Sequence, residues 1–189
     1  TGVNGGLVFC VADDPGMHSS QNEQDSRHYA ESAKILCVEP ADSAECKAYT
    51  KKAFELSEQF DVPVILRLST RVSHSQSLVE LEEPVKAENK PYEKNPGKYV
   101  MMPANAIKRH VVVEDRISAL KEFADTDAIN SIEENGSKIG VITAGIDYQY
   151  SREALGDKIL IHQADTHRAE ALALAECLPK PLWIASVRK

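Results

Sequence analysis

The sequence predicts an α/β fold, on three observations. Short apolar runs rich in Val, Ile and Leu recur at residues 7–12, 35–38 and 63–68. Stretches with helical spacing separate them, and each run ends on polar or turn-forming residues. Strand, helix, strand, helix, strand in that order implies a parallel sheet with right-handed crossovers. A second such alternation begins at Lys138. At 189 residues and 42% hydrophobic, the chain is long enough for one large domain or two small ones with packed cores.

The first run, 7–12, is Val- and Phe-containing and reads as a buried strand. Asp13 and Asp14 end it, and Pro15-Gly16 forces a turn. Eleven residues follow, Met17 to Arg27, nearly all polar, before helical residues resume at His28. A long polar loop at the carboxyl end of a buried strand is where open α/β sheets place ligands. Loops this polar and this long are more often functional or disordered than neutral connectors. His18 can move a proton near neutral pH. Ser19, Ser20, Gln21 and Asn22 can orient a carboxylate or a polar cofactor, beside the titratable Glu23 and Asp25. A self-capping surface loop would use the same residue types.

The run at 35–38 gives a second short strand, ended by Glu39-Pro40. Asp42 followed by Glu45 is the spacing of a capping box, starting a helix to about Gln59. Tyr49, Ala53, Leu56 and Phe60 form its buried face, with Lys47, Lys51 and Lys52 outward. After the third strand come Arg67, Arg71 and His74, a candidate anion or substrate contact beside the first loop, or else a surface charge cluster. Residues 78–81 could add an edge strand.

Residues 82–103 hold four prolines, many charges and no periodicity, and mark a boundary. The expected division is 1–85, a linker at 86–103, and 104–189. Residues 104–132 predict one long helix or two, with Ile107, Val111, Ile117, Leu120 and Phe123 buried and Asn135-Gly136 as the stop. A strand at 138–144 turns at Thr143-Ala144-Gly145 into a helix carrying Tyr148, Tyr150 and Arg152. Strands at 159–162 and 182–187 flank an alanine-rich helix at 168–178. His162, Asp165 and His167 do not match a known metal-ligand spacing.

Composition excludes several classes. A net charge of −7 with both signs interspersed disfavours a general nucleic-acid binder. No run approaches the roughly 18 apolar residues of a membrane helix. The four cysteines form no C-x-x-C pair, so neither a disulfide framework nor an iron–sulfur site is expected. No Walker phosphate loop, G-x-G-x-x-G, G-x-S-x-G or H-E-x-x-H is present. With Thr1 first, the chain reads as a piece of a longer polypeptide.

Two stretches resemble one family. The run ADDPGMHSSQNEQDSRHYA, preceded by TGVNGG, and the later KIGVITAGIDYQYSREALGD are similar to the alpha subunit of indolepyruvate ferredoxin oxidoreductase, a thiamine-diphosphate-dependent 2-oxoacid oxidoreductase. The tail after residue 157 departs from that pattern. The resemblance implies a three-layer parallel-sheet domain of the pyrimidine-binding type, incomplete here, followed by part of a second, transketolase C-terminal-like α/β domain. It implies oxidative decarboxylation of an aryl 2-oxoacid to an acyl-CoA, with electrons passed to ferredoxin.

Thiamine diphosphate, magnesium and iron–sulfur clusters would serve the full enzyme, and none is expected on this chain alone. The activating glutamate is expected upstream. Partners implied are the smaller subunit, ferredoxin, coenzyme A and the 2-oxoacid, in an oligomer with neither nucleic acid nor membrane, in the cytoplasm. Within this chain His18 becomes the catalytic candidate, and Ser19, Ser20, Gln21, Asn22 and Arg71 the substrate-binding candidates. The alternative is a non-catalytic α/β interaction or assembly module.

Overall fold

The computed structural model describes residues 1–17, 20–86, 89–163 and 182–185. Its first sheet has three parallel strands: β1 (Val8–Asp13), β2 (Leu36–Val38) and β3 (Val64–Ser69), in the order β1-β3-β2. Helices α1 (Ser26–Ala33) and α2 (Ser43–Gln59) make the crossovers. Side chains alternate across a strand, and the two faces of this sheet meet different partners. Leu36, Val38, Val64 and Leu66 pack against Ala53 and Leu56 of α2. Cys37 and Ile65 pack against Ala30 of α1. The result is a parallel sheet, as the strand–helix alternation predicts, with a helix on each face, the three-layer arrangement that the family resemblance implies.

Local chemistry sets the helix ends. Asp42 caps α2 by accepting from the Glu45 N–H at 2.9 Å, and the Glu45 carboxylate reaches back to the Ala41 N–H at 2.7 Å. Asp25 caps α1. At the far end of α1, Lys34 takes the left-handed conformation at φ 55°, where its N–H and that of Ile35 close onto the last-turn carbonyls.

Several expectations are corrected. Strand β1 forms, but at the sheet edge rather than buried, with Phe9 48% exposed and Cys10 and Ala12 also exposed. An apolar run cannot tell a central strand from an edge strand. Residues 78–81 form no strand, and Leu78 and Leu81 are almost fully exposed. The short helices α3 (Thr70–His74) and α4 (Pro96–Tyr99) bracket this extended stretch.

The long helix α5 (Pro103–Thr126) ends earlier than its sequence suggests. Asp127 follows it and its side chain takes the Ile129 N–H at 3.1 Å. Asn135-Gly136 instead turns the chain between β4 (Ser131–Glu133) and β5 (Ile139–Thr143), Gly136 at φ 75°. Ile107 and Val111 are exposed, whereas Leu120 is buried and joins Ile129 in the core of the first sheet, with Phe123 packed edge-on against Phe60.

A second sheet runs β4-β6-β5-β7, with β6 (Leu160–Gln163) and β7 (Leu182–Ala185) parallel to β5 and β4 antiparallel to β6. Helix α6 (Ile146–Leu155) follows β5. The 168–178 helix and the Asp165 and His167 positions lie outside the described residues. Among the described residues no helix is long and apolar enough to cross a membrane.

The burial pattern separates two aliphatic truncations. Leu56→Ala, at 1% exposure in the core, is expected to lower unfolding free energy by about 2–5 kcal/mol. Ile107→Ala, at 73% exposure, is expected to change it by less than about 0.5 kcal/mol. Urea unfolding of the two variants checks both values.

Candidate functional site

The carboxyl ends of the first sheet's strands gather a buried set of charges. Asp13 closes β1, Glu39 follows β2, and Arg67 lies near the end of β3. Asp13 is 1% exposed. Its Oδ2 accepts from the Arg67 Nε at 2.7 Å, from the Ser26 N–H at 2.6 Å and from the Ser26 hydroxyl at 2.8 Å. Arg67 also donates through Nη1 to Glu39 Oε1. Arg27 grips Asp25 with two parallel bonds, Nε to Oδ1 at 2.8 Å and Nη2 to Oδ2 at 2.9 Å. Its Nη1 lies 3.8 Å from Glu39 Oε2.

This set anchors the polar loop at both ends. Ser26, the first residue of α1, is held on Asp13 at the end of β1. The Gln24 N–H donates to the Asp14 carbonyl at 2.9 Å, and the Thr70 hydroxyl donates to the Asp13 carbonyl at 3.1 Å. Of the sequence-predicted site residues, Ser20, Gln21 and Asn22 sit on this loop, Gln21 and Asn22 exposed and Ser20 half-buried. His18 and Ser19 lie outside the described residues. Arg71, exposed on α3, is held with its guanidinium 5.7 Å from the centre of the Tyr150 ring on α6. Arg67 is not an open anion contact, because Asp13 and Glu39 already occupy it.

The second sheet meets the same end of the first. Gly145, at φ 54°, begins α6 beside Glu39, and a Cβ there would stand 3.4 Å from Glu39 Oε1 and 3.6 Å from the Pro40 carbonyl. Both the backbone angle and the close approach favour glycine. Gln149 donates to Asp42 at 3.1 Å, and Gln163 to Glu45 at 3.1 Å.

Protonation follows from these contacts. Burial disfavours the Asp25 anion, but the Arg27 hydrogen bonds and the charges of Arg27 and Arg67 outweigh it and bring its pKa down to about 2. Burial raises the Glu39 pKa, and Arg67 and Arg27 only partly oppose it. Burial, with Glu39 nearby, pushes the Cys37 thiol up to about 12, so that it stays protonated. The arrangement suits a rigid base for a polar loop, not a nucleophile.

Reading the loop by composition missed Asp13, Arg27 and Glu39. The usable signal was Arg67, a charge inside the otherwise apolar strand Val64–Ser69, which requires a buried partner.

Arg67→Met is expected to cost about 3–5 kcal/mol, since it strands the Asp13 and Glu39 carboxylates without their partner. Asp25 adds an acid-side dependence. Its folded pKa of about 2 lies below its unfolded value of 3.8, so its stabilisation is complete above 3.8 and is lost as pH falls from there toward 2. Asp25→Asn should flatten the stability profile within that window, measured by urea unfolding at stepped pH.

No protein-family model matches the chain. A solved structure of 2-oxoglutarate:ferredoxin oxidoreductase from Magnetococcus marinus, with 2-oxoglutarate, coenzyme A and succinyl-CoA bound, aligns at TM-score 0.48 and 13% identity, covering 93% of this chain and 45% of that one. That likeness is too slight to carry an argument. Sequence similarity is stronger. Indolepyruvate oxidoreductase subunit IorA is 40% identical over 156 residues in Archaeoglobus fulgidus, 44% over 162 in Methanothermobacter marburgensis and 44% over 161 in Thermococcus kodakarensis. Each match covers 82% of this chain and 25–26% of the relative, so the chain spans about a quarter of the length of these subunits. With 40–44% identity sustained over 82% of its residues, the chain belongs to the IorA family, the alpha subunits of indolepyruvate oxidoreductase.

Proposed function

We propose that the chain serves as part of a thiamine-diphosphate-dependent 2-oxoacid:ferredoxin oxidoreductase that converts an aryl 2-oxoacid such as indolepyruvate to its acyl-CoA. The observation that carries this reading is the 40–44% identity to IorA subunits over 82% of the chain. The first sheet then belongs to a pyrimidine-binding-type domain and the second to the α/β domain after it, with α5 between them. Ferredoxin, coenzyme A and a smaller subunit are the partners, and the cytoplasm is the compartment.

In such an enzyme the bound thiamine supplies the electron sink for decarboxylation. The described residues do not fit the other groups. They contain no set of three His, Cys, Asp or Glu side chains placed to hold a metal ion, and Cys10, Cys37 and Cys46 are free. The chain's own contribution is to present the polar loop. Ser19, Ser20, Gln21 and Asn22 would orient the oxygens of the 2-oxoacid, Arg71 would meet its carboxylate, and His18 would move a proton. The Asp13–Ser26 anchor supports this role, because binding groups need a fixed base.

A chimera tests the proposal. Residues 1–157 would replace the corresponding segment of the Archaeoglobus subunit, co-expressed with its partner subunit. Indolepyruvate-dependent ferredoxin reduction is expected to persist, and Arg71→Ala in the chimera should raise KM by about tenfold. An unchanged KM would remove Arg71 from the substrate site. For the 189-residue chain alone, calorimetry with thiamine diphosphate and Mg²⁺ is expected to show no binding at micromolar concentrations. Binding that disappears in His18→Ala would mean that the chain carries a whole site.

A further inference from the structure

One face of the first sheet carries a thiol from a strand and a thiol from the helix above it. Side chains alternate across a strand. Val11 of β1 packs against the cluster that holds Ala30 of α1, and Val8 against the one that holds Ala53 and Leu56 of α2. Cys10 is two residues from Val8, so it shares the α2 face. Because β1 lies at the sheet edge, Cys10 is exposed there.

Helix α2 brings Cys46 to the same place. Cys46, Thr50, Ala53 and Ser57 are spaced by four, three and four residues and form one stripe of the helix. The far end of that stripe rests on β1, where the Ser57 hydroxyl accepts from the Leu7 N–H at 2.9 Å. Gly6 lies against the Phe54 backbone, and an added Cβ would stand 3.4 Å from the Phe54 Cα and 3.0 Å from its carbonyl oxygen. From that contact the strand climbs about 13 Å to Cys10, at its usual rise per residue. The helix runs the other way, and its rise carries it about 12 Å from Phe54 to Cys46. The two thiols therefore stand at one height on one face. Burial raises the Cys46 thiol, and the charges of Asp42, Glu45 and Cys10 act in the same direction. Cys37, by contrast, belongs to the α1 face and is buried there with Ala30 and Ile65.

We propose that Cys10 and Cys46 are a reversible dithiol–disulfide pair that fastens the edge strand β1 to α2, with a small disulfide such as oxidised glutathione as the oxidant. The exposed Cys10 thiolate attacks one sulfur of the oxidant, whose S–S bond breaks and releases one glutathione thiol. The Cys46 thiolate then attacks the Cys10 sulfur of the mixed disulfide and expels the second glutathione. Two electrons pass from the cysteines to the oxidant, and the two protein thiol protons end on the two glutathione thiols. Excess reduced glutathione runs the same exchange backward.

The test equilibrates the whole chain in buffers of stepped oxidised-to-reduced glutathione ratio, quenches with acid, alkylates the free thiols and maps the peptides by mass spectrometry. Cys10 and Cys46 are expected to lose alkylation together, with a chain mass lower by about 2 Da and a linked Cys10–Cys46 peptide that dithiothreitol abolishes. The bridged form should exceed the mixed disulfide at least about tenfold. Cys37 should remain a thiol throughout. Cys46→Ser should instead retain glutathione on Cys10, and Cys10→Ser should form no bridge. If Cys46→Ser does not fold, Cys10→Ser still decides, because Cys10 is exposed. The bridged chain should also unfold at a higher urea midpoint than the reduced one, and an unchanged or lower midpoint would show that the fold does not hold the two thiols together. Free thiols at the most oxidising ratio, glutathione on Cys10 in place of the bridge, a bridge to Cys177 or a disulfide between two chains would each overturn the proposal.

Discussion

The structure depends first on the buried pair between Asp13 and Arg67. Arg67 occupies the central strand of a three-stranded sheet, where a cation is tolerated only with a close anion. Asp13 supplies it from the neighbouring strand, in the register that pairs Val11 with Arg67 and Asp13 with Ser69. The net stability of such a pair over apolar residues is small, because desolvation offsets most of the attraction. Its effect is on geometry. With Oδ2 also taken by the backbone and hydroxyl of Ser26, Asp13 fixes where the polar loop leaves the sheet and where it returns. Strand β1 gains less from burial than β2 or β3, although β1 and β2 both lie at edges of this sheet, and the tie holds its carboxyl end.

The same economy of carboxylates joins the two sheets. Asp42 and Glu45 cap α2, and each also accepts from a glutamine of the second unit, Gln149 and Gln163. Glu39 receives Arg67 on one side and on the other lies so near Gly145 that an added Cβ would stand 3.4 Å from its Oε1. The end of the first sheet that carries the polar loop is therefore also the end that faces α6. The stacking of Arg71 on Tyr150 belongs to this junction, which makes Arg71 part of the wall between the units as well as a candidate for substrate.

Much of this was legible in the sequence where the determinants are local. The three strands of the first sheet, the Asp42–Glu45 cap and the buried Ala53 and Leu56 follow from spacing alone. The exposure of β1 was not legible, because sheet order is decided by which strands pair and not by composition. The register of α5 failed for a related reason: Ile107 and Val111 have the right character for a core, but only the Leu120 end of the helix reaches one. Strand β4 was hidden in the helical pattern, since Ser131–Glu133 gains its identity by pairing with β6, some thirty residues further on. The charged anchor draws on four separate segments, ending in Asp13, Asp25–Arg27, Glu39 and Arg67, so no window of sequence contains it. Only the Arg67 charge within an apolar strand announced that a partner existed.

Two charged clusters in one small chain obey one constraint with opposite results. Around Asp13, three carboxylates, Asp13, Asp25 and Glu39, face two arginines at short, directed contacts, and burial raises the Glu39 pKa against the opposing charges of Arg67 and Arg27. That cluster is closed: each arginine has carboxylate oxygens within hydrogen-bonding reach. Around Asp61, three cations face one carboxylate, and the guanidinium contacts are long. Arginine does not relieve excess positive charge by losing a proton near neutral pH, because its pKa lies too far above. The two clusters differ in contact geometry more than in charge: short, directed bonds fasten Arg27 and Arg67, and long ones hold Arg109 and Arg116.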